Sequence, residues 1–329
     1  MKKLINSTET LLEESLDGFA AAHADILLLG AERKFVRRRA LKPGKVALIS
    51  GGGSGHEPLH AGFVGHGMLD AACPGQVFTS PTPDQMVEAA EAVDTGAGVL
   101  FIVKNYEGDL MNFTMAAEMA GREFASVVTD DDVAVENSTY TTGRRGVAGT
   151  LIVEKMVGAA AETGMPLAAL KVLGDSVNRR TRSMGVALTP CTVPAAGRPN
   201  FTLADNEMEM GVGIHGEPGR RRVPLVSADA IADELLGAIL KDLAPKQGSE
   251  VLLIVNGFGA TPLIELYLMV NSARRILDGA GIKATRFLTG SYVTSLDMAG
   301  ASVTVSVLDA QALAMWDAPV HTAALRWGA

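Results

Sequence analysis

The chain has 329 residues, of which 47% are apolar and 20% charged, and 36 of them are glycine. At roughly 150 residues per domain this length favours two domains, and the composition excludes a disordered chain, a collagen-like repeat and a coiled coil. The net charge of −8 argues against a general nucleic-acid binder, because contact with many phosphates needs a dominant basic surface. Its two cysteines, Cys73 and Cys191, lie far apart, which excludes a disulfide framework and a cysteine zinc site. We expect a soluble, cytoplasmic protein, since no window reaches the ~18 apolar residues of a membrane span.

The first half alternates helices with short apolar strands. A helix is predicted over 10–24, where Thr10 and Glu13 can form a capping box. Three strands, each followed by a polar or glycine-rich loop, and two helices are then predicted: strands 45–50, 98–103 and 125–128, loops 51–56, 104–109 and 129–132, and helices 83–94 and 111–122. Such alternation predicts a largely parallel α/β sheet, whose ligand site lies beyond the carboxyl ends of its strands. The three loops are therefore expected near one edge.

The second half begins after a helix near 147–163. Residues 175–224 contain five prolines and short extended runs at 184–188 and 210–214. The α/β alternation then resumes, with helices 227–243, 261–278 and 309–316 and strands 250–255, 284–289 and 302–307. We place a domain boundary near residue 183, which predicts two α/β domains, 1–183 with the glycine-rich loop and 184–329.

The first candidate site is the glycine-rich segment Gly51-Gly52-Gly53-Ser54-Gly55-His56. Glycines let backbone N–H groups approach an oxygen-rich ligand without a Cβ atom in the way. The segment is not a Walker A motif, and its histidine stands where both the dinucleotide fingerprint and the Gly-x-Ser-x-Gly nucleophile motif need a glycine. Two interpretations remain open: a tight strand-to-helix turn without function, and a ligand loop with a titratable His56 at the strand end.

Two further candidates are Asp109 and His215. Asp109 ends a turn after an apolar strand, where it either caps the next helix or takes part in a site. His215 lies in the glycine-dense segment 211–219, as a structural histidine or as a ring that a substrate can approach. No HxH or HExxH spacing accompanies it, so no metal is predicted.

Runs of like charge also have two interpretations each. The basic runs 33–39 and 220–222 are either solvated faces or docking sites for an acidic partner. The acidic run 130–132 either caps a strand end or holds a cation.

Seven longer motifs are spread over the chain, at 50–58, 78–83, 104–109, 144–148, 211–219, 259–263 and 316–321. They include Ser50-Gly51-Gly52-Gly53-Ser54-Gly55-His56-Glu57-Pro58 and Lys104-Asn105-Tyr106-Glu107-Gly108-Asp109. With these motifs the chain resembles the dihydroxyacetone kinase family, and within it the substrate-binding subunits (DhaK) of the phosphotransferase-system-dependent type. The resemblance implies two α/β domains, the first resembling a mannose-type EIIA fold, and a homodimer.

The resemblance also implies roles for the candidates. The residue that matches His215 attacks the ketone carbonyl of dihydroxyacetone and holds the sugar as a covalent hemiaminal. Those that match His56 and Asp109 contact the substrate hydroxyls, and one of the two accepts the proton during phosphoryl transfer. The remaining substrate contacts match Gly53, Ser54, Gly55 and Lys104.

No Walker motif and no kinase glycine loop with its lysine is found, so no nucleotide is predicted on this chain. The resemblance implies that a partner subunit, DhaL, carries ADP and Mg²⁺ and donates the phosphoryl group. DhaM of the phosphotransferase system recharges it, with phosphoenolpyruvate as the ultimate donor. Two alternatives stay open: a non-catalytic paralogue that senses dihydroxyacetone, and a kinase subunit for another short ketose such as erythrulose.

Overall fold

The computed structural model of the chain describes residues 2–121, 123–135, 143–217 and 219–329. Arg122, at the end of one predicted helix, and Pro218, within the predicted His215 segment, lie outside these residues. The described helices are α1 (Leu11–Ala22), α2 (Pro83–Val93), α3 (Glu107–Met119), α4 (Gly149–Glu162), α5 (Leu167–Arg179), α6 (Ala228–Leu243), α7 (Leu263–Gly279) and α8 (Ala310–Asp317). None of these helices has the length and apolar character needed to cross a membrane.

The described strands form three sheets. They are β1 (Leu27–Leu29), β2 (Val36–Arg38), β3 (Ala47–Ser54), β4 (Gly65–His66), β5 (Ala71–Val77), β6 (Val99–Lys104), β7 (Phe124–Thr129), β8 (Thr181–Ala187), β9 (Glu207–Met210), β10 (Arg221–Pro224), β11 (Glu250–Gly257), β12 (Lys283–Gly290), β13 (Gly300–Leu308), β14 (Val320–Thr322) and β15 (Arg326–Trp327). The smallest sheet has the order β15-β14-β4. The prediction of an α/β fold is confirmed.

The first six-stranded sheet has the order β1-β2-β5-β3-β6-β7. Strands β5, β3, β6 and β7 run parallel, and β1 and β2 are antiparallel additions at one edge. The apolar runs of β3 and β6 are buried, with Ile49 and Phe101 in one hydrophobic core together with the inner face of α2. Because β3 and β6 are parallel neighbours, the residues at their carboxyl ends lie at the same edge of the sheet, as predicted.

The second six-stranded sheet, β10-β9-β8-β13-β11-β12, is mainly antiparallel. Among its described strands only β11 and β12 pair in parallel, and α7 makes the crossover between them. The link from β12 to β13 is too short for such a crossover, so β13 returns antiparallel beside β11. The largely parallel arrangement predicted for the first half therefore does not extend to this sheet.

Local predictions failed at three helices. Helix α5 was not predicted, although Leu167, Leu170 and Val177 recur at helical spacing and are buried. Thr10 precedes α1 but makes no capping hydrogen bond with its side chain, and a capping box forms instead at Thr82, before α2. Helix α3 begins earlier than the predicted 111, which changes the position of Asp109 described below.

The chain forms two compact units, each discontinuous in sequence. The first consists of Met1–Thr129, Thr150–Ser176 and Ala314–Ala329, and the second of Asp130–Gly149 and Val177–Leu313. The single division near residue 183 stays a prediction. The first unit contains the parallel sheet and the second contains the mainly antiparallel one.

Candidate functional site

The glycine-rich segment is mostly strand. Gly51, Gly52, Gly53 and Ser54 belong to β3 and pair with β5, so the prediction of a loop over 51–56 is wrong for these four residues. Two of the three glycines are required by packing. A Cβ atom on Gly51 would lie 2.6 Å from the carbonyl oxygen of Cys73, and one on Gly53 would lie 2.6 Å from the backbone nitrogen of Thr79. Close approach of neighbouring backbone explains these two glycines without a ligand.

The turn proper begins at Gly55, whose φ of +103° suits glycine. Its N–H donates to the carboxylate of Glu57, at 3.0 and 2.9 Å from the two oxygens. His56 follows and is 1% exposed, with its ring stacked on Phe78 at a centroid distance of 5.0 Å. The Ser54 hydroxyl donates to the carbonyl oxygen of Gly75 at 2.7 Å, which commits its proton to the backbone. The turn therefore holds a buried imidazole, that of His56, and the Ser54 hydroxyl is not activated as a nucleophile.

Lys104 and Asp109 form a buried ion pair at the end of β6. Lys104 is the last residue of β6, and Asp109 lies in the first turn of α3, whose N-cap is Tyr106. Asp109 is therefore not the predicted cap residue. The Lys104 ammonium lies 3.2 Å from Asp109 Oδ2, and the Ser80 hydroxyl donates to Asp109 Oδ1. Since both groups of the ion pair are almost fully buried, their charges are screened little by solvent.

This arrangement fixes a carboxylate in one orientation. A cation and a hydroxyl hold its two oxygens, and the N-terminus of α3 adds a favourable dipole. A carboxylate oxygen has two lone pairs, so each oxygen of Asp109 can still accept a hydrogen bond from a ligand hydroxyl. The site can therefore bind a polyol or accept a proton from it.

His215 lies in the second unit beside Glu217. Its Nδ1 is 2.9 Å from Glu217 Oε1, and its backbone N–H donates to Glu217 Oε2 at 3.1 Å. The His215 side chain is 17% exposed, whereas that of Glu217 is 2% exposed. A carboxylate acceptor at Nδ1 places the proton of the neutral ring there and the lone pair on Nε2.

Three neighbours keep Glu217 in place and ionised. Burial alone would raise the pKa of Glu217. The attraction and hydrogen bond of His215, together with the charge of Arg145, outweigh burial and lower this pKa to about 2. Arg145 is itself fully buried and pairs with Asp132 at 2.6 Å. Gly213 leaves the space, because a Cβ atom there would lie 1.8 Å from Glu217 Oε2.

The charged runs are largely paired within the chain. Arg33 pairs with Asp17, Arg38 pairs with Asp70 and Glu162, and Arg221 pairs with Glu234. These arginines therefore form ion pairs within the chain. Asp131 accepts hydrogen bonds from the backbone of Val147 and Gly149, at the start of α4. Within the described ranges no three histidine, cysteine, aspartate or glutamate side chains cluster as metal ligands do.

The predicted site residues are divided between the two units. Gly53, Ser54, Gly55, His56, Lys104 and Asp109 all belong to the first unit, and His215 belongs to the second. Sequence reasoning did not single out four side chains that hold these residues: Ser80, Glu217, His60 and Glu154. Ser80 and Glu217 lie inside quoted motifs and could have been noticed there. Glu154 left a weaker signal, as one of two adjacent charges (with Lys155) in the middle of the mostly apolar run of α4.

Known proteins match this chain over most or all of its length. The Dak1 domain matches residues 17–324. The chain is 50% identical to the PEP-dependent dihydroxyacetone kinase, dihydroxyacetone-binding subunit DhaK of Escherichia coli, over 355 aligned positions that cover both chains fully. It is 49% identical to a PTS-dependent DhaK subunit of Listeria innocua, over 98% of this chain and all of that one.

Among solved structures, the dihydroxyacetone kinase operon co-activator DhaQ is similar with a TM-score of 0.90. Its identity to this chain is 34%, and the match covers 95% of this chain and 97% of that one. The Dak1 match and the full-length identity to DhaK subunits together show that this chain belongs to the dihydroxyacetone kinase family, among its DhaK-type subunits.

Proposed function

We propose that this chain is the dihydroxyacetone-binding subunit of a phosphotransferase-system-dependent dihydroxyacetone kinase. In this proposal His215 binds the ketose covalently, His56 and Asp109 contact its hydroxyls, and a partner subunit of the DhaL type donates the phosphoryl group. The observation that carries the proposal is the hydrogen bond between His215 Nδ1 and the Glu217 carboxylate, because it leaves the nucleophilic lone pair on Nε2.

The covalent step follows from that tautomer. The Nε2 lone pair attacks the carbonyl carbon of dihydroxyacetone, the C=O π electrons move to oxygen, and the oxygen gains a proton. The oxygen takes its proton from solvent, the ionised Glu217 carboxylate stabilises the positively charged ring that forms, and the ring returns its Nδ1 proton to solvent. The sum is addition of N–H across C=O with no loss of water. Glycerol has no carbonyl, so this bond selects ketoses.

Phosphoryl transfer then needs a base at the terminal hydroxyl. His56 and Asp109 are the two candidates, and Lys104 holds Asp109 in one orientation. A tethered hydroxyl is positioned for in-line attack, and such positioning can contribute roughly 7–11 kcal/mol. The nucleotide and Mg²⁺ are expected on the donor subunit, where they would neutralise the transferring phosphoryl group.

One experiment tests the covalent step directly. Dihydroxyacetone labelled with ¹³C at its carbonyl carbon is added to the protein, and ¹³C NMR follows that carbon. We expect its resonance to move from the ketone region to the hemiaminal region, and His215→Ala to abolish this signal. His66→Ala, a half-exposed histidine of β4, is the matched control and should keep the signal. An unchanged adduct in His215→Ala would remove His215 from the proposal.

A second experiment tests the donor. The chain should turn over dihydroxyacetone with a phosphorylated DhaL-type subunit and not with ATP alone. Activity of the isolated chain with ATP would contradict the split-subunit proposal. A panel of ketoses that includes erythrulose would show which substrate has the highest kcat/KM.

The likeness to the co-activator DhaQ supports a second candidate, a regulatory protein that binds dihydroxyacetone without phosphorylating it. Identity to the DhaK subunits is higher, and a pure sensor needs no base. Adduct formation at His215 without turnover in the presence of the charged donor would favour this candidate.

A further inference from the structure

A second buried polar pair lies behind Lys104. His60 follows the glycine-rich turn, and Glu154 lies on α4, 94 positions later in the sequence. His60 Nδ1 is 2.5 Å from Glu154 Oε1, and His60 Nε2 is 3.1 Å from Lys104 Nζ. The side chains of His60 and Glu154 are 3% and 0% exposed. The order of contacts is therefore Glu154, His60, Lys104 and Asp109, all within the first unit.

The donors and acceptors of this chain of contacts are fixed by the lysine. An ammonium group has three N–H donors and no acceptor. Lys104 Nζ faces three acceptors, which are the carbonyl oxygen of Gly51 at 3.3 Å, His60 Nε2 and Asp109 Oδ2. His60 Nε2 must therefore carry a lone pair, and the proton of the neutral ring must lie on Nδ1, where it donates to Glu154.

Ser50 supports the same assignment. Its Oγ lies 3.0 Å from His60 Nδ1, but its own proton is donated to the carbonyl oxygen of Ile102 at 2.6 Å. Ser50 therefore cannot act as a donor to the ring, and Nδ1 is surrounded by acceptors. The ring is also neutral, since burial, followed by the charges of Lys104 and His56, lowers the pKa of His60 well below its usual value.

We propose that His60 and Glu154 are positioning residues, which fix the direction of the Lys104 ammonium and, through it, of the Asp109 carboxylate. This inference rests on the proposed function, because it gives His60 and Glu154 a role in orienting Asp109, one of the two candidate bases of that function. An ionised Glu154 holds the Nδ1–H tautomer and makes Nε2 a better acceptor for Lys104. Lys104 in turn points one N–H at Asp109 and keeps that carboxylate in one orientation towards a substrate hydroxyl.

The pair has a pH dependence of its own. Burial raises the pKa of Glu154 to about 8, against the smaller opposing effect of the Lys104 charge. The groups that face the pair are Ser50 from β3, Lys104 from β6 with Asp109 beyond it, and His56 from the turn. A Glu154 protonated on Oε1 would donate to Nδ1 and move the ring proton to Nε2, so that two donors, Nε2–H and an N–H of Lys104, would face each other. A Glu154 protonated on Oε2 would still accept from Nδ1–H, but as a neutral acid it is a weaker acceptor than the carboxylate. The ionised form of Glu154 therefore holds this arrangement best.

The test compares Glu154→Gln with Glu162→Gln. Glu162 lies on the same helix and pairs with Arg38, outside this chain of contacts, so it controls for loss of a carboxylate from α4. With a phosphorylated donor subunit, kcat of the wild type should rise with pH through about 8. Glu154→Gln should lose this rise, because glutamine does not titrate. Its kcat above that pH should fall roughly 10-fold to 100-fold, with little change in the hemiaminal signal. Glu162→Gln should keep the wild-type pH profile.

A second measurement needs no turnover. In ¹⁵N NMR of the free protein with labelled histidine, the His60 ring, assigned by its loss in His60→Gln, should be protonated at Nδ1 above that pH. A ring protonated at Nε2 would overturn the inference, as would a Glu154→Gln variant that keeps the wild-type kcat and pH profile. A wild-type chain that forms the adduct but never transfers phosphate would instead overturn the proposed function.

Discussion

A Cβ atom on Gly52 would lie 2.3 Å from Lys104 Nζ and 3.3 Å from His60 Nε2. The middle glycine of β3 therefore leaves the space in which the lysine ammonium sits. Gly51 and Gly53 are small because backbone approaches them, whereas the nearest atoms at Gly52 belong to side chains of the proposed site. A single methyl group at position 52 would therefore change the position of the Lys104 ammonium group.

We predict that Gly52→Ala displaces the Lys104 ammonium from Asp109. Turnover with the charged donor should fall by about 10²-fold, the effect of a misplacement of roughly 1 Å, while the hemiaminal signal at His215 persists. Gly18→Ala is the matched control, because no atom lies within 4 Å of a Cβ at that position of α1. Gly18→Ala should leave turnover unchanged and raise the free energy of unfolding by up to about 1 kcal/mol. Equal turnover of Gly52→Ala and wild type would contradict this prediction.

The sequence revealed the parts of this site that depend on local pattern. The apolar runs before Gly51 and before Lys104 predicted two parallel strands, and parallel neighbours bring their ends together whatever the rest of the chain does. Gly108 concealed the true start of α3, because a glycine in a first turn resembles a loop. Tertiary packing also explains why residue 108 is a glycine. A Cβ atom there would lie 2.8 Å from the hydroxyl oxygen of Ser80, which donates to Asp109.

The partners of the site residues could not be predicted in the same way. Glu154 of α4 and His60 are 94 positions apart in the sequence and are brought together only by the tertiary fold. In the sequence α4 is an apolar run with two adjacent charges in its middle, Glu154 and Lys155. The fold separates them, since Glu154 binds His60, whereas Lys155 donates to the carbonyl oxygen of Met315 and faces the ring of Trp327. The sequence pattern of the helix does not show which partner each of these two side chains contacts.

We predict that Glu217→Gln changes the acid stability of the protein. The pKa of Glu217 is about 2 in the folded chain against a usual 4.5, so its ionised form stabilises the fold above pH 4.5 and this stabilisation is lost as pH falls through about 2. Chemical denaturation should show wild type more stable than Glu217→Gln by about 3 kcal/mol or less at neutral pH, with the difference shrinking towards pH 2. Glu234→Gln, from the more exposed ion pair with Arg221, should show a difference of about 1 kcal/mol or less. A difference for Glu217→Gln that stays constant with pH would contradict the assigned pKa.

We predict that Gly213→Ala weakens the covalent step without touching His215. The new methyl carbon would overlap Glu217 Oε2 and lie 2.6 Å from Arg145 Nη1, so the carboxylate must leave His215 Nδ1. The fraction of protein that forms the hemiaminal at a fixed dihydroxyacetone concentration should fall. Gly237→Ala, at an open position of α6, is the matched control and should bind as wild type does. A full hemiaminal signal in Gly213→Ala would show that Glu217 does not orient the ring.

We predict that Asp109→Asn separates covalent binding from phosphoryl transfer. Asparagine keeps the shape of aspartate but loses its charge, so Lys104 keeps an acceptor while the proton acceptor for a substrate hydroxyl is removed. If Asp109 is the base, kcat should fall by roughly 10²–10⁴-fold with the hemiaminal signal intact, because a positioned base contributes about that much. His56→Asn, measured in parallel, should then raise KM more than it lowers kcat. The reverse pattern would assign the proton to His56 and leave Asp109 as an anchor for the hydroxyl.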